Sequence, residues 1–219
     1  MKRTTFRHGA MAIAALLIAA GQQVAYGNIV TTVTLDTSAL IGSSAGPFEV
    51  AFVFSDGNGT GDGNNTVTLS NFLFGVGGSA GSVDTSLSTG GVSGDLSSGA
   101  SLVDSSFLNI FASSFTPGTL LFFLLSVTTN VDAGGTPDEL SLVLLQGSGF
   151  PVPTTDPSGL NTLLTIDIDS TQPTVSTFAL AVPEPSSLLL IVAGGLACLP
   201  RRKDLSRTIS RAQAIGNRF

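Results

Sequence analysis

The sequence predicts an all-β protein: a single, jelly-roll-like β-sandwich over residues 28–181, flanked by an N-terminal signal helix and a short C-terminal transmembrane helix. Three observations carry this. Apolar residues recur at every second position in short runs, the period of a strand with one buried face. The runs are rich in Val, Ile, Thr and Phe and are bounded by Gly, Pro, Asn and Asp, which make turns. About eight such runs fill roughly 155 residues, enough for one core of ordinary domain size.

In chain order, Ile29, Thr31, Val33 and Leu35 alternate with Val30, Thr32 and Thr34. Phe48, Val50, Phe52 and Phe54 then alternate with Glu49, Ala51 and Val53, and residues 67–74 form a third run. Phe at alternating strand positions reads as core. Residues 75–99 are rich in Gly and Ser, yet Val83, Leu87, Val92 and Leu96 still recur, which predicts weak strands or a long ordered loop within the domain and not a linker. Residues 107–115, 119–129, 139–145, 160–168 and 175–180 complete the set. Residues 119–127 are apolar on both faces and predict a central strand buried on both sides, although periodicity alone also admits a buried helix. Exposed, this run would be the segment most prone to aggregate.

Both ends read as address labels. Lys2, Arg3 and Arg7 precede an apolar stretch, residues 10–20, and Ala25 and Gly27 place small residues at the −3 and −1 positions of a cleavage site. Residues 1–27 are thus expected to be a signal peptide, cut after Gly27. At the other end stand Val182, Pro183, Glu184 and Pro185, then an apolar run over 188–199, then Arg201, Arg202 and Lys203. The prolines make a stiff, extended element suited to a protease cleft. Twelve helical residues reach about 18 Å, short of the ~30 Å hydrocarbon core. The basic cluster holds its side in the cytoplasm. A marginal span with a firm stop suits a temporary tether.

Residues 182–203 resemble a PEP-CTERM sorting signal: Val-Pro-Glu-Pro, a short transmembrane helix and a basic end, in that order. The resemblance implies that the chain is a substrate of exosortase, a membrane-embedded transpeptidase-like enzyme of Gram-negative bacteria, which would cleave near the motif. It implies export by the secretion machinery, transient anchoring in the inner membrane, and a final place on the outer surface or outside the cell, in association with exopolysaccharide. Residues 204–219, with Arg207, Arg211 and Arg218, depart from the family pattern, whose signals end sooner, and are expected to form a cytoplasmic tail. A looser resemblance to a recurring type of PEP-CTERM protein lies in Leu35-Asp36-Thr37-Ser38, Asp104-Ser105-Ser106-Phe107-Leu108-Asn109, Phe115-Thr116-Pro117-Gly118 and Thr136-Pro137-Asp138-Glu139. It brings no activity with it.

The region between the labels has an unusual inventory. All nine Lys and Arg residues, the single His8, both Met, Tyr26 and Cys198 lie outside residues 28–181, and there is no Trp. Of the 15 acids only Glu184 and Asp204 lie beyond it, which leaves thirteen acids and no base, a charge of −13 against −6 for the whole chain. No Lys, Arg or His is there to form a salt bridge, and no disulfide can form. Nucleic acid is excluded as a partner because nothing would neutralise phosphate. Anionic lipid is disfavoured for the same reason.

Catalysis with a Ser-His or Cys-His pair needs groups this region lacks, as do zinc sites of His and Cys. Paired carboxylates remain, as in glycoside hydrolysis: Asp167 with Asp169, which share a strand face, and the adjacent Asp138 and Glu139. Solvated strand-end carboxylates are the favoured reading of both pairs, and no enzyme is expected. Asp56, Asn58, Thr60, Asp62 and Asn64 put oxygen ligands at alternate positions among glycines, which suits Ca²⁺. Val67 stands where an EF-hand has its Glu, so that motif fails, and the same composition builds a hairpin loop without metal. The expectation is an exported, non-catalytic surface or matrix protein without a required cofactor. The alternatives are a Ca²⁺-dependent carbohydrate-binding module, against which stands the lack of Trp and Tyr rings, and a carboxylate-only hydrolase.

Overall fold

The structure, a computed structural model, describes residues 27–130, 136–168 and 173–181. All belong to the unit of the chain that ends at Val182. Both predicted terminal helices, Ala25, the motif from Val182 to Lys203, the tail and Asp169 lie outside the described residues. Among those described, no helix is long and apolar enough to cross a membrane. The one helical piece is a 3₁₀ turn at Ser38–Leu40.

Among the described residues eleven strands form: β1 (Asn28–Asp36), β2 (Phe48–Ser55), β3 (Thr66–Leu73), β4 (Ser79–Val83), β5 (Gly91–Asp95), β6 (Gly99–Val103), β7 (Leu108–Thr116), β8 (Leu120–Thr128), β9 (Asp138–Leu145), β10 (Leu164–Ile168) and β11 (Thr174–Thr177). They make two antiparallel sheets, of order β1-β8-β3-β6-β5 and β11-β10-β9-β2-β7-β4. The fold is a β-sandwich. Alternation explains why the sheets stack: Phe48, Val50, Phe52 and Phe54 of β2, and Leu121, Phe123, Leu125 and Val127 of β8, are all buried and belong to one core. The sheets meet at Phe52, whose ring packs edge-to-face on Phe123 at 5.3 Å and on Phe72 at 6.3 Å, the geometry that aromatic quadrupoles favour.

Several expectations need correction. The Gly- and Ser-rich stretch does hold weak strands, β4 and β5, and β6 is a further strand that the pattern did not reveal, because Gly99-Ala100-Ser101 carries too little bulk to show alternation. The run 119–127 is interior to its sheet, between β1 and β3, but only Leu121, Phe123, Leu125 and Val127 are fully buried; Leu120, Phe122 and Leu124 are half-buried. Burial on both faces needs a third layer, and two sheets provide one inward face each. The strand expected over 160–168 begins only at Leu164; Asp156 organises the segment before it, accepting from the N–H and hydroxyl of Ser158 and of Thr162. Residues 56–65 are not a hairpin loop: β2 and β3 lie in different sheets, so the loop crosses between layers.

The contact between sheets sets the stability expected of Phe52. Truncation to Ala should cost about 3–5 kcal/mol, the range for a fully buried Phe, read as a fall in the urea midpoint at constant slope.

Candidate functional site

Residues 56–65, 104–107, 129–130 and 136–137, from three connections between the sheets, meet at one end of the sandwich. Their anchoring side chains follow from strand parity. Inward residues on β2 end Phe52, Phe54, and the next inward position is Asp56. In the same way Asn65 precedes Val67, Asp104 follows Leu102, Asn109 precedes Phe111, and Asp138 precedes Leu140. All five are buried, at 0% exposure except Asp138 at 4%. The apolar core therefore ends in a polar plug.

Asn65 is its hub. Its backbone N–H donates to both carboxylate oxygens of Asp104, at 3.1 and 3.0 Å, and its carbonyl accepts from the Asp104 N–H at 3.2 Å. Its Nδ2 donates to the Asn130 carbonyl and to Asp138 Oδ2, both at 2.8 Å, and its Oδ1 accepts from Asn130 N–H at 2.8 Å and Thr128 Oγ1 at 3.1 Å. Asp138 Oδ1 accepts from Gly57 N–H at 2.8 Å. Asn109 ties in β5 and β2, accepting from Gly91 N–H and donating to the Phe54 and Ser106 carbonyls. Gly57 is needed where it stands, since a Cβ there would run into the carbonyls of Thr136 and Pro137.

The plug holds carboxyls without a cation. Burial pushes the Asp104 carboxyl up, the Asn65 N–H pulls it down, and the hydrogen bond and charge of Asp138, with the charge of Asp62, raise it to about 7. Two carboxyls can hydrogen-bond each other only when one holds a proton. A second pair lies elsewhere on the domain: burial, then the charge and hydrogen bond of Asp84, raise Glu49.

The sequence-predicted metal ligands are brought into one loop, but their oxygens turn toward the loop itself. Asp56 Oδ1 accepts from Asn58 N–H at 2.9 Å and Gly59 N–H at 3.0 Å, and Oδ2 from Gly61 N–H at 2.5 Å. Asn58 Oδ1 accepts from the N–H and hydroxyl of Thr60, and Asp62 from the N–H and Nδ2 of Asn64. Three of the roughly four acceptor positions of Asp56 are thus taken by amides. Asn58, Thr60 and Asp62 are exposed. The donor set fits a chain of Asx turns better than a cage for Ca²⁺. Among the described residues no group of three or more His, Cys, Asp or Glu stands where it could hold a metal ion.

The hydrolase pairs fare as follows. Asp138 faces the core, while its neighbour Glu139 points to the other face of β9 and accepts from Ser141 Oγ at 2.6 Å, so the two carboxyls do not converge. Asp167 lies half-buried on β10, opposite Glu139 in the register. The residues that sequence reading passed over are Asn65, Asp104 and Asn109. Their signal was parity: an acid or amide exactly two positions beyond the last inward apolar residue of a strand.

No family model matches the chain, and searches of curated proteins and of solved structures find no match.

Folded Asp104 keeps its proton up to about pH 7, whereas the unfolded side chain loses it near 3.8. The stability it contributes is therefore fully present below about pH 4 and lost as pH rises through about 7. Asp104→Asn, a neutral mimic that can still accept from Asn65 and donate to Asp138, should flatten this decline in a series of melting curves from pH 4 to about 8.

Proposed function

We propose that the chain is an exported, non-catalytic surface or extracellular-matrix protein, anchored briefly in the inner membrane and released when exosortase cuts at Val182-Pro183-Glu184-Pro185. The observation that carries this reading is the order Pro-Glu-Pro, apolar run, Arg201-Arg202-Lys203. The fold supports it in one respect. Among the described residues the last main-chain bond is Ala181 N–H to the Pro153 carbonyl at 2.8 Å, directly before the motif, so a cut there leaves every described strand whole. The succession β1-β8-β3-β6 against β2-β7-β4 supports the finer reading as a jelly roll, with β5 joined to the first sheet and β9 to β11 added to the second. A role beside exopolysaccharide follows from the resemblance alone; most described Phe side chains serve the core, and Phe107 and Phe150 are the exposed large ones among them.

Intact mass of the protein released from a host with exosortase should correspond to a chain beginning at Asn28 and ending near residue 182. Pro183→Ala with Pro185→Ala should leave the protein in the membrane fraction at precursor mass. Release of the double variant at the same mass would count against the reading.

The Ca²⁺-dependent carbohydrate-binding alternative rests on the acidic, cation-free end of the sandwich. Calorimetric titration with Ca²⁺ is expected to show no binding heat and no shift in melting temperature. Heat that disappears in Asp56→Asn would instead favour the alternative.

A further inference from the structure

The sandwich has four edge strands, and three of them are guarded. β5 has five residues and contains Gly94 at φ +91°. β4 has five residues and its register against β7 shifts between Ala80 and Val83. β11 has four residues. Short, kinked or bulged edges are the usual means of stopping strands from adding to a sheet. β1 has none of these. It runs for nine residues, Asn-Ile-Val-Thr-Thr-Val-Thr-Leu-Asp, in unbroken register with β8, without Gly, Pro or Lys. Among the described residues nothing pairs with its other side.

We propose that β1 pairs antiparallel with β1 of a second copy of this chain, about a two-fold axis through Thr32, joining two five-stranded sheets into one. The register follows from three constraints. Full overlap of Asn28–Asp36 with itself puts the axis at the midpoint, Thr32. A sheet with one buried face tolerates only registers that keep inward residues beside inward residues, and this one sets Ile29 opposite Leu35 and Thr31 opposite Val33. On the outer face it sets Thr32 against Thr32 and Val30 against Thr34, cross-strand pairs that β-branched residues make well.

Charge selects the antiparallel mode and the identity of the partner. Each domain carries only acids, so association of most surfaces is repulsive. β1 carries one, Asp36, at its very end. Parallel pairing would set Asp36 beside its equivalent. Antiparallel pairing separates the two carboxylates by about 27 Å, beyond the ~8–10 Å screening length. It also sets Asp36 opposite Asn28 of the other copy, where the amide side chain can donate to it. Cleavage after Gly27 would add the α-ammonium of Asn28 at that place, the one cation of the mature domain. This last contact alone rests on the reading of the leader. A two-fold contact of this kind is closed, so it yields dimers and not fibres.

Disulfide trapping tests it, in membranes from cells expressing the full chain with Cys198→Ala. Thr32→Cys should cross-link to a dimer on oxidation, because residues facing across a two-fold lie about 4.5–5.5 Å apart at Cα. Thr34→Cys should not, since its equivalents would stand roughly 14 Å apart, four residues along the strand. Cross-linking at Thr34 and not Thr32, at both equally, or at neither would overturn the proposal. In the detergent-solubilised chain, wild type should be dimeric, increasingly so as salt screens the acids, and Thr32→Asp, which opposes two carboxylates on the outer face, should be monomeric and melt, at any concentration, where wild type melts once diluted to monomer. If Thr32→Asp does not fold, the cysteine pattern still decides. Intact mass of the same samples reads cleavage after Gly27 separately from the cross-link.

Discussion

Carboxylates buried without cations are the constraint around which this domain is built. Asp56, Asp104 and Asp138 are all withdrawn from water at one end of the core, yet no Lys, Arg or His occurs between residues 28 and 181 to receive them. An unpaired buried charge is costly. The fold answers with amides. Asp56 takes three backbone N–H groups of its own loop, Asp104 takes Asn65, and Asp138 takes Gly57 and the Asn65 side chain. Where amides do not suffice, a proton does, and Asp104 is raised to about 7. Three of the connections that cross between the sheets are thereby fastened to one another through the residues that close the core.

The same constraint shapes the opposite end and the surface. Thr37, two positions past the inward Leu35, is fully buried and donates its hydroxyl to the Gly118 carbonyl at 2.8 Å, a neutral counterpart of the acidic plug. Exposed acids are satisfied locally: Asp36 by Ser38, Asp84 by Ser86, Asp95 by Ser97 and Ser98. The abundance of Ser and Gly after each Asp thus has a structural use, and long-range ion pairs play no part. With repulsion present on most faces, the β1 edge, whose single acid stands at its far end, is the place proposed for two such domains to meet.

Much of the core was legible in the sequence because alternation is a local signal. Phe48 to Phe54 could be assigned inward from period two alone, whereas in 119–127 both parities are apolar and only the two-sheet packing chose the odd ones from 121 on. The weaker strands β4 to β6 were hard to see because their residues are small and their pairing is supplied by neighbours distant in sequence. The loop 56–65 shows the limit of a motif. Its alternating oxygens read as candidate ligands, and in the fold those of Asp56, Asn58 and Asp62 accept from groups of the same loop.

The sequence by itself determined the strand-rich class, the inward face of the strands that alternate and the absence of any cation in the body, since each is a matter of composition or of spacing within a few residues. Only the tertiary structure decided that Asn65, Asp104 and Asp138, separated by up to 73 positions, share one network, that residues 56–65 cross between sheets, and that β1 is left as the one long unguarded edge. Which strand lies beside which depends on the packing of two sheets around Phe52 and Phe123, and no local pattern carries that information.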